Sequence, residues 1–115
     1  MKIEIPRIEK EIPLREYAPE FDQACFRVWV NPPRALLDQM ESLGQAFLNP
    51  QAGPEARLAA LEESAGVIGQ LWNETAEQVV RFMTETHDTD PMLFQWVLLR
   101  TFQLIRDHRR DVKKN

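Results

Sequence analysis

One cysteine, one tyrosine, two histidines and four glycines are all that 115 residues contain of the side chains that most often carry chemistry or unusual backbone. The single cysteine, Cys25, excludes an internal disulfide and suits a reducing compartment, where a lone thiol packs as a small hydrophobe. The glycines Gly44, Gly53, Gly66 and Gly69 make no phosphate-binding loop. Gly66-Val67-Ile68-Gly69 instead falls within a helical pattern, where small residues allow close packing. Long hydrophobic runs are also missing. The greasiest stretch, 92–99, is interrupted by Gln95 and falls far short of the about 20 residues that span a bilayer. The opening Met1-Lys2-Ile3-Glu4-Ile5-Pro6-Arg7 has no apolar segment of signal-peptide type. These absences predict a cytoplasmic chain with no membrane contact.

Catalytic patterns are equally scarce. His87, Asp88 and Asp90 stand close together, but no HxxxH, HExxH or CxxC spacing supports a metal site, and the same residues suit turns and helix caps. His108 lies among Arg106, Asp107, Arg109 and Arg110, as at a solvated helix end. Glu62-Glu63 and the pair Glu74 and Glu77 read as exposed helix faces, since adjacent carboxylates alone are no acid/base pair. The expectation is a protein that is not an enzyme, with no catalytic residue, no metal ligand and no cofactor.

What is present is enough apolar material for one core. The chain is 43% hydrophobic and 28% charged, with three tryptophans and six phenylalanines, which suits a single domain over 1–115. The net charge of −4 is unevenly placed. From position 100 onward six basic residues face two acidic ones, so the remainder is strongly acidic. A nucleic-acid binder needs a basic face on its domain, and an acidic body with a basic end is a poor match. Cations at the C-terminus of a helix are also explained by the helix dipole.

The first 30 residues read as β. Ile3 and Ile5 alternate with charges, as do Ile12 and Leu14, and Phe26, Val28 and Val30 share one strand face, with Cys25 and Trp29 on the other. Pro6 and Pro13 lack a ladder donor and favour edge positions. A hairpin over 11–30, turning at 18–23, is marginal alone and must lie against helices. Asn31-Pro32-Pro33 switches the chain to helix, with Asn31 as N-cap of a helix over 32–48 carrying Leu36, Met40, Leu43 and Phe47. Pro54 restarts a helix whose Leu58, Leu61, Ala65, Ile68 and Trp72 form a packing seam. Thr75 and Gln78 match a capping box for a third helix with Val79, Phe82 and Met83. After a break at 87–91, Asp90 and Pro91 open a last helix to about residue 110, apolar most of the way round and so buried on several sides, followed by a basic tail at 111–115. The expected fold class is α+β, mainly helical: a small N-terminal β hairpin (1–30) packed on about four helices (31–110).

A small domain cannot easily surround such a last helix, so part of it is expected to form a groove or an oligomer contact. Met92, Trp96, Leu99 and Phe102, spaced 4, 3 and 3, are the candidate partner-binding residues, and Leu93, Val97 and Ile105 would face the core. Amphipathic client helices, a second copy of the chain, or both would fit such a surface.

The layout as a whole resembles a known family. Charged β segments run into Val28-Trp29-Val30-Asn31-Pro32-Pro33-Arg34, a helical middle reaches Leu71-Trp72-Asn73, and Asp88-Thr89-Asp90-Pro91 opens an aromatic helix ending in Lys113-Lys114-Asn115. This resembles the tail assembly chaperones of long-tailed bacteriophages. The resemblance implies a non-catalytic protein, in the host cytoplasm, that binds the hydrophobic helical tape-measure protein. It would keep that partner soluble while tail-tube protein assembles around it. The family often makes a second, frameshifted product, and an A-rich codon run for Lys113-Lys114-Asn115 would fit that habit. The alternative is a small regulatory or adaptor protein that binds another protein or nucleic acid through its basic C-terminal helix.

Overall fold

Two short strands open the structured part of the chain, β1 (Glu9–Pro13) and β2 (Cys25–Trp29), joined by the 3-10 turn Leu14–Glu16 and a loop. Four helices follow: α1 (Arg34–Leu48), α2 (Pro54–Trp72), α3 (Ala76–Thr89) and α4 (Pro91–Lys114). The computed structural model describes residues 3–48, 51 and 53–114, without the side chains of 43–48, 54, 57, 58, 61, 113 and 114. The side chains of the seam positions Leu43, Phe47, Leu58 and Leu61 and of Lys113 and Lys114, and the whole of Asn115, therefore lie outside what is described. The fold class is the expected one, a two-stranded antiparallel sheet on a mainly helical body.

Pairing runs from Glu9 opposite Trp29 to Pro13 opposite Cys25. Val30 N–H donates to the Ile8 carbonyl and Leu14 N–H to that of Ala24, extending the ladder at both ends. Ile12, Val28 and Val30 are fully buried, with Phe26 packed beside them, so the inner face is the one the alternation predicts. The outer face carries Glu11 and Arg27, an exposed ion pair at 3.8 Å, and Trp29, whose ring lies under the Arg7 guanidinium at 4.5 Å. Ile3 and Ile5 belong to neither strand. Contrary to the alternation, residues 3–8 have no regular secondary structure and both isoleucines are exposed.

The start of α1 also departs from expectation. The helix begins at Arg34, and the Pro33 carbonyl accepts from Leu36 and Leu37. Asn31 is not its cap. The side-chain amide of Asn31 instead clamps the N-terminal segment, donating to the Pro6 carbonyl and accepting from Ile8 N–H, both at 2.8 Å. Two consecutive prolines hold Asn31 away from the first turn, because the residue before proline is driven out of helical geometry.

The helix buried on several sides is α2, not α4. Ala60, Ala65, Val67, Ile68, Leu71 and Trp72 are buried, and α2 touches α1, α3 and β2. Its C-terminus closes on Asn73, in the left-handed conformation at φ 56°, with Glu74 N–H donating to the Gly69 carbonyl at 2.8 Å. This return of the chain is why position 69 is glycine: an added Cβ would stand 2.6 Å from the Glu74 carbonyl oxygen. Gly66 has no such reason, for nothing lies within 4 Å of its Cβ position. The capping box at Thr75 and Gln78 forms as expected and starts α3. α3 then runs through His87 and Asp88 to Thr89, so the break before α4 is Asp90 alone.

Candidate functional site: the outer face of α4

An α-helix turns about 100° per residue, so Leu93, Val97, Thr101 and Ile105 lie within roughly 120° of one another. All four are buried, on a helix that packs against the sheet and α3. Thr101 is polar, yet its hydroxyl donates to the Val97 carbonyl and accepts the Trp72 indole N–H at 3.0 Å. Trp72 is thus core, as its seam position predicts, within a cluster of rings from four elements. Its centroid lies 4.9 Å from Phe26, 6.2 Å from Phe82 and 6.1 Å from Phe94.

Met92, Trp96, Leu99 and Phe102 occupy the opposite side, again within roughly 120°, along about 15 Å of helix. Met92 is 60% exposed, Leu99 57% and Phe102 39%. Trp96 differs from these three. Half-buried, it packs on Tyr17 with centroids 5.4 Å apart. Tyr17 is fixed by its hydroxyl, which donates to the Asp90 carboxylate at 2.7 and 2.9 Å from its two oxygens. Asp90 therefore serves at the α3–α4 joint chiefly as an anchor for the loop after β1. Arg100 ties the same loop to α4 through Glu16 at 3.7 Å. The loop lies along the first half of α4 and covers Trp96, while leaving Met92 and Leu99 in water. Tyr17 and Glu16 were the partners that periodicity within α4 had no means of revealing.

The electrostatics change along the helix. Past Ile105, Arg106, Arg109 and Arg110 are exposed, and Asp107 pairs with Arg106 at 3.6 Å and Arg110 at 3.0 Å. Helix persists to Lys114, so positions 111–114 are its last turn rather than a separate tail. Basic residues there favourably meet the negative end of the dipole.

Elsewhere among the described residues the geometry brings no metal-ligating set together. His87 and Asp88 are exposed on the last turns of α3, apart from the half-buried Asp90 carboxylate. No group of three metal-ligating side chains occurs among the described residues. Among the described residues the displaced titration belongs to Tyr17, whose phenol is raised above its ordinary value because it donates to Asp90, with burial and the Asp90 charge adding to the effect. Among the described residues no helix is long and apolar enough to cross a membrane. Comparison of the chain with protein-family models, with curated proteins and with solved structures finds no match.

Proposed function

We propose that this chain is a non-catalytic tail assembly chaperone of the long-tailed-phage kind. It binds the hydrophobic helical tape-measure protein through the outer face of α4 and keeps it soluble for tail-tube assembly in the host cytoplasm. The observation that supports this reading is the exposure of Met92, Leu99 and Phe102 on a helix whose opposite side already completes the core. Their apolar area in water is unfavourable by about 25 cal/mol per Å². An amphipathic client helix laid along the stripe removes it, with side chains at i, i+3, i+4 and i+7 meeting the three residues. Methionine and leucine adapt to varied apolar partners, which suits a client of great length and repetitive character. In the absence of client the same stripe is covered by further copies of the chain, so the free protein forms homo-oligomers.

The test begins with the reading frames beside this chain's gene, one of which should encode a very long helical protein. Co-expressed with it, the chain should co-purify, and the partner should move from the insoluble to the soluble fraction. The triple variant Met92→Ser, Leu99→Ser, Phe102→Ser should stay folded and lose both effects. Unchanged co-purification by that variant would end the proposal. Salt-sensitive DNA binding, abolished by Arg106→Gln with Arg109→Gln and Arg110→Gln, would favour the adaptor reading instead.

A further inference from the structure

Two features of the N-terminal region fit one another, and among the described residues no backbone hydrogen bond uses either. One is the free edge of β2. The bonds from Val30 N–H to Ile8 and from Leu14 N–H to Ala24 fix the phase of the ladder. Antiparallel pairs alternate between bonded and non-bonded, so Phe26 and Val28 turn their backbone groups toward β1, and Cys25, Arg27 and Trp29 turn theirs to the outer edge. Cys25 and Arg27 are exposed there. An open row of N–H and C=O groups is a template for another strand.

The other feature is the segment before β1. Ile3-Glu4-Ile5 has the period-2 pattern of a strand with one apolar face. Yet Ile3 is 77% exposed and Ile5 80%, so most of each side chain is left in water. The base of the segment is firmly held: Asn31 clamps Pro6 and Ile8, and Arg7 donates to the Gln70 carbonyl at 3.0 Å. A strand-patterned arm thus leaves the surface from a rigid footing.

We propose that Ile3-Glu4-Ile5 of one copy adds as a third strand to the free edge of β2 in a second copy, reciprocally, giving a two-fold dimer. Charge selects this edge over that of β1. The β1 edge presents Glu9 and Glu11, which repel Glu4, and Pro13, which has no donor; the β2 edge presents Arg27. Setting Glu4 antiparallel to Arg27 fixes every other contact. Their backbones exchange both hydrogen bonds and their charges pair on the outer face. Ile5 and Ile3 fall opposite Phe26 and Val28, on the face that is already apolar. A shift of one residue would place both isoleucines on the charged side, so the register is specific. The dimer is symmetric and closed, since each copy gives one arm and receives one. This contact is separate from the α4 face and does not depend on the client-binding reading.

The experiment measures mass and dissociation constant of the full chain by analytical ultracentrifugation, in the triple α4 variant so that the other apolar face is silent. That protein should be dimeric. Ile3→Asp with Ile5→Asp should raise the dimer dissociation constant on the order of 100-fold with little change in monomer melting, because both side chains are largely exposed within their own copy. Arg27→Pro removes the outward N–H together with the guanidinium, and should weaken the dimer more than Arg27→Ala, which removes the charge alone. Glu4→Arg and Arg27→Glu should each weaken the dimer, and together restore it. A monomeric parent, a dimer indifferent to the arm substitutions, or a charge-swapped double variant no tighter than the singles would overturn the proposal. Loss of client binding with the arm dimer intact would bear on α4 alone.

Discussion

Tyr17 is the only tyrosine in the chain, so the ultraviolet absorbance of phenolate reports on it alone. Its phenol donates to Asp90 and its pKa is raised above 10.0. A raised value means that the bond stabilises the fold at every pH below the unfolded phenol's titration. That contribution is lost as pH climbs through the higher folded value. The absorbance midpoint should therefore lie above 10 in the native protein and fall toward the ordinary value in Asp90→Asn. Melting curves of the parent and Tyr17→Phe should differ at neutral pH and converge in strong alkali. Trp72 gives a second prediction at this scale. Trp72→Ala removes the centre of a four-ring cluster and should cost about 3–5 kcal/mol in denaturant unfolding. Trp72→Phe keeps most of the ring volume but leaves Thr101 without its donor, and should cost about 1–2 kcal/mol. The core role of Trp72 was legible from its seam spacing. The half-burial of Trp96 was not, because the Tyr17 ring that covers it comes from a loop some 80 residues earlier in the chain.

At the scale of elements, helix periodicity and caps carried most of the boundaries. The capping box of α3 and the restart at Pro54 depend on neighbours within one turn, and local rules describe them well. The failures have a common form: a residue with strong local preference was claimed by a distant partner. Asn31 caps nothing on α1 because its amide is taken by Pro6 and Ile8. The two glycines of α2 make a paired test of local against tertiary demand. Gly66→Ala adds a methyl in open space and should stabilise α2 by roughly 0.5–1 kcal/mol. Gly69→Ala drives its methyl into the Glu74 carbonyl and should destabilise by about 1–3 kcal/mol despite the same gain in helix propensity. If thermal melting moves both variants in the same direction, the tight return at Asn73 is not what holds the α2–α3 joint.

For the whole molecule, the radius of gyration is 15.1 Å, against about 13 Å for a compact chain of this length. A helix as long as α4, about 36 Å, cannot be enclosed by three others and a two-stranded sheet. Part of its apolar surface is left outside, and the choice of which part follows from where the sheet, α3 and the Tyr17 loop reach. At concentrations low enough to keep the chain monomeric, Leu99→Ser should accordingly change stability by no more than about 0.5 kcal/mol, and Trp96→Ser by about 2 kcal/mol or more, measured by denaturant unfolding. Equal costs under those conditions would mean that Leu99 is packed within its own copy and that the α4 face is not open.

The sequence by itself determined the fold class, the number of helices, the inner strand face of Val28 and Val30, and the inward set Leu93, Val97 and Ile105. Those features follow from periods of 2 and 3.6 residues and from punctuation by proline, glycine and capping side chains, all of which act within a few positions. Tertiary structure alone decided which apolar helix is central. α4 carries more large apolar side chains than α2, so composition ranks them the wrong way; α2 is enclosed because both of its neighbours in sequence fold back on it while the sheet covers a third side. α4 packs on α3 and the sheet, the Tyr17 loop covers Trp96, and Met92, Leu99 and Phe102 stay open. The unpacked isoleucines of residues 3–8 belong to the same class of fact: alternation marks a strand, but a strand exists only where an edge receives it, and within one copy none does.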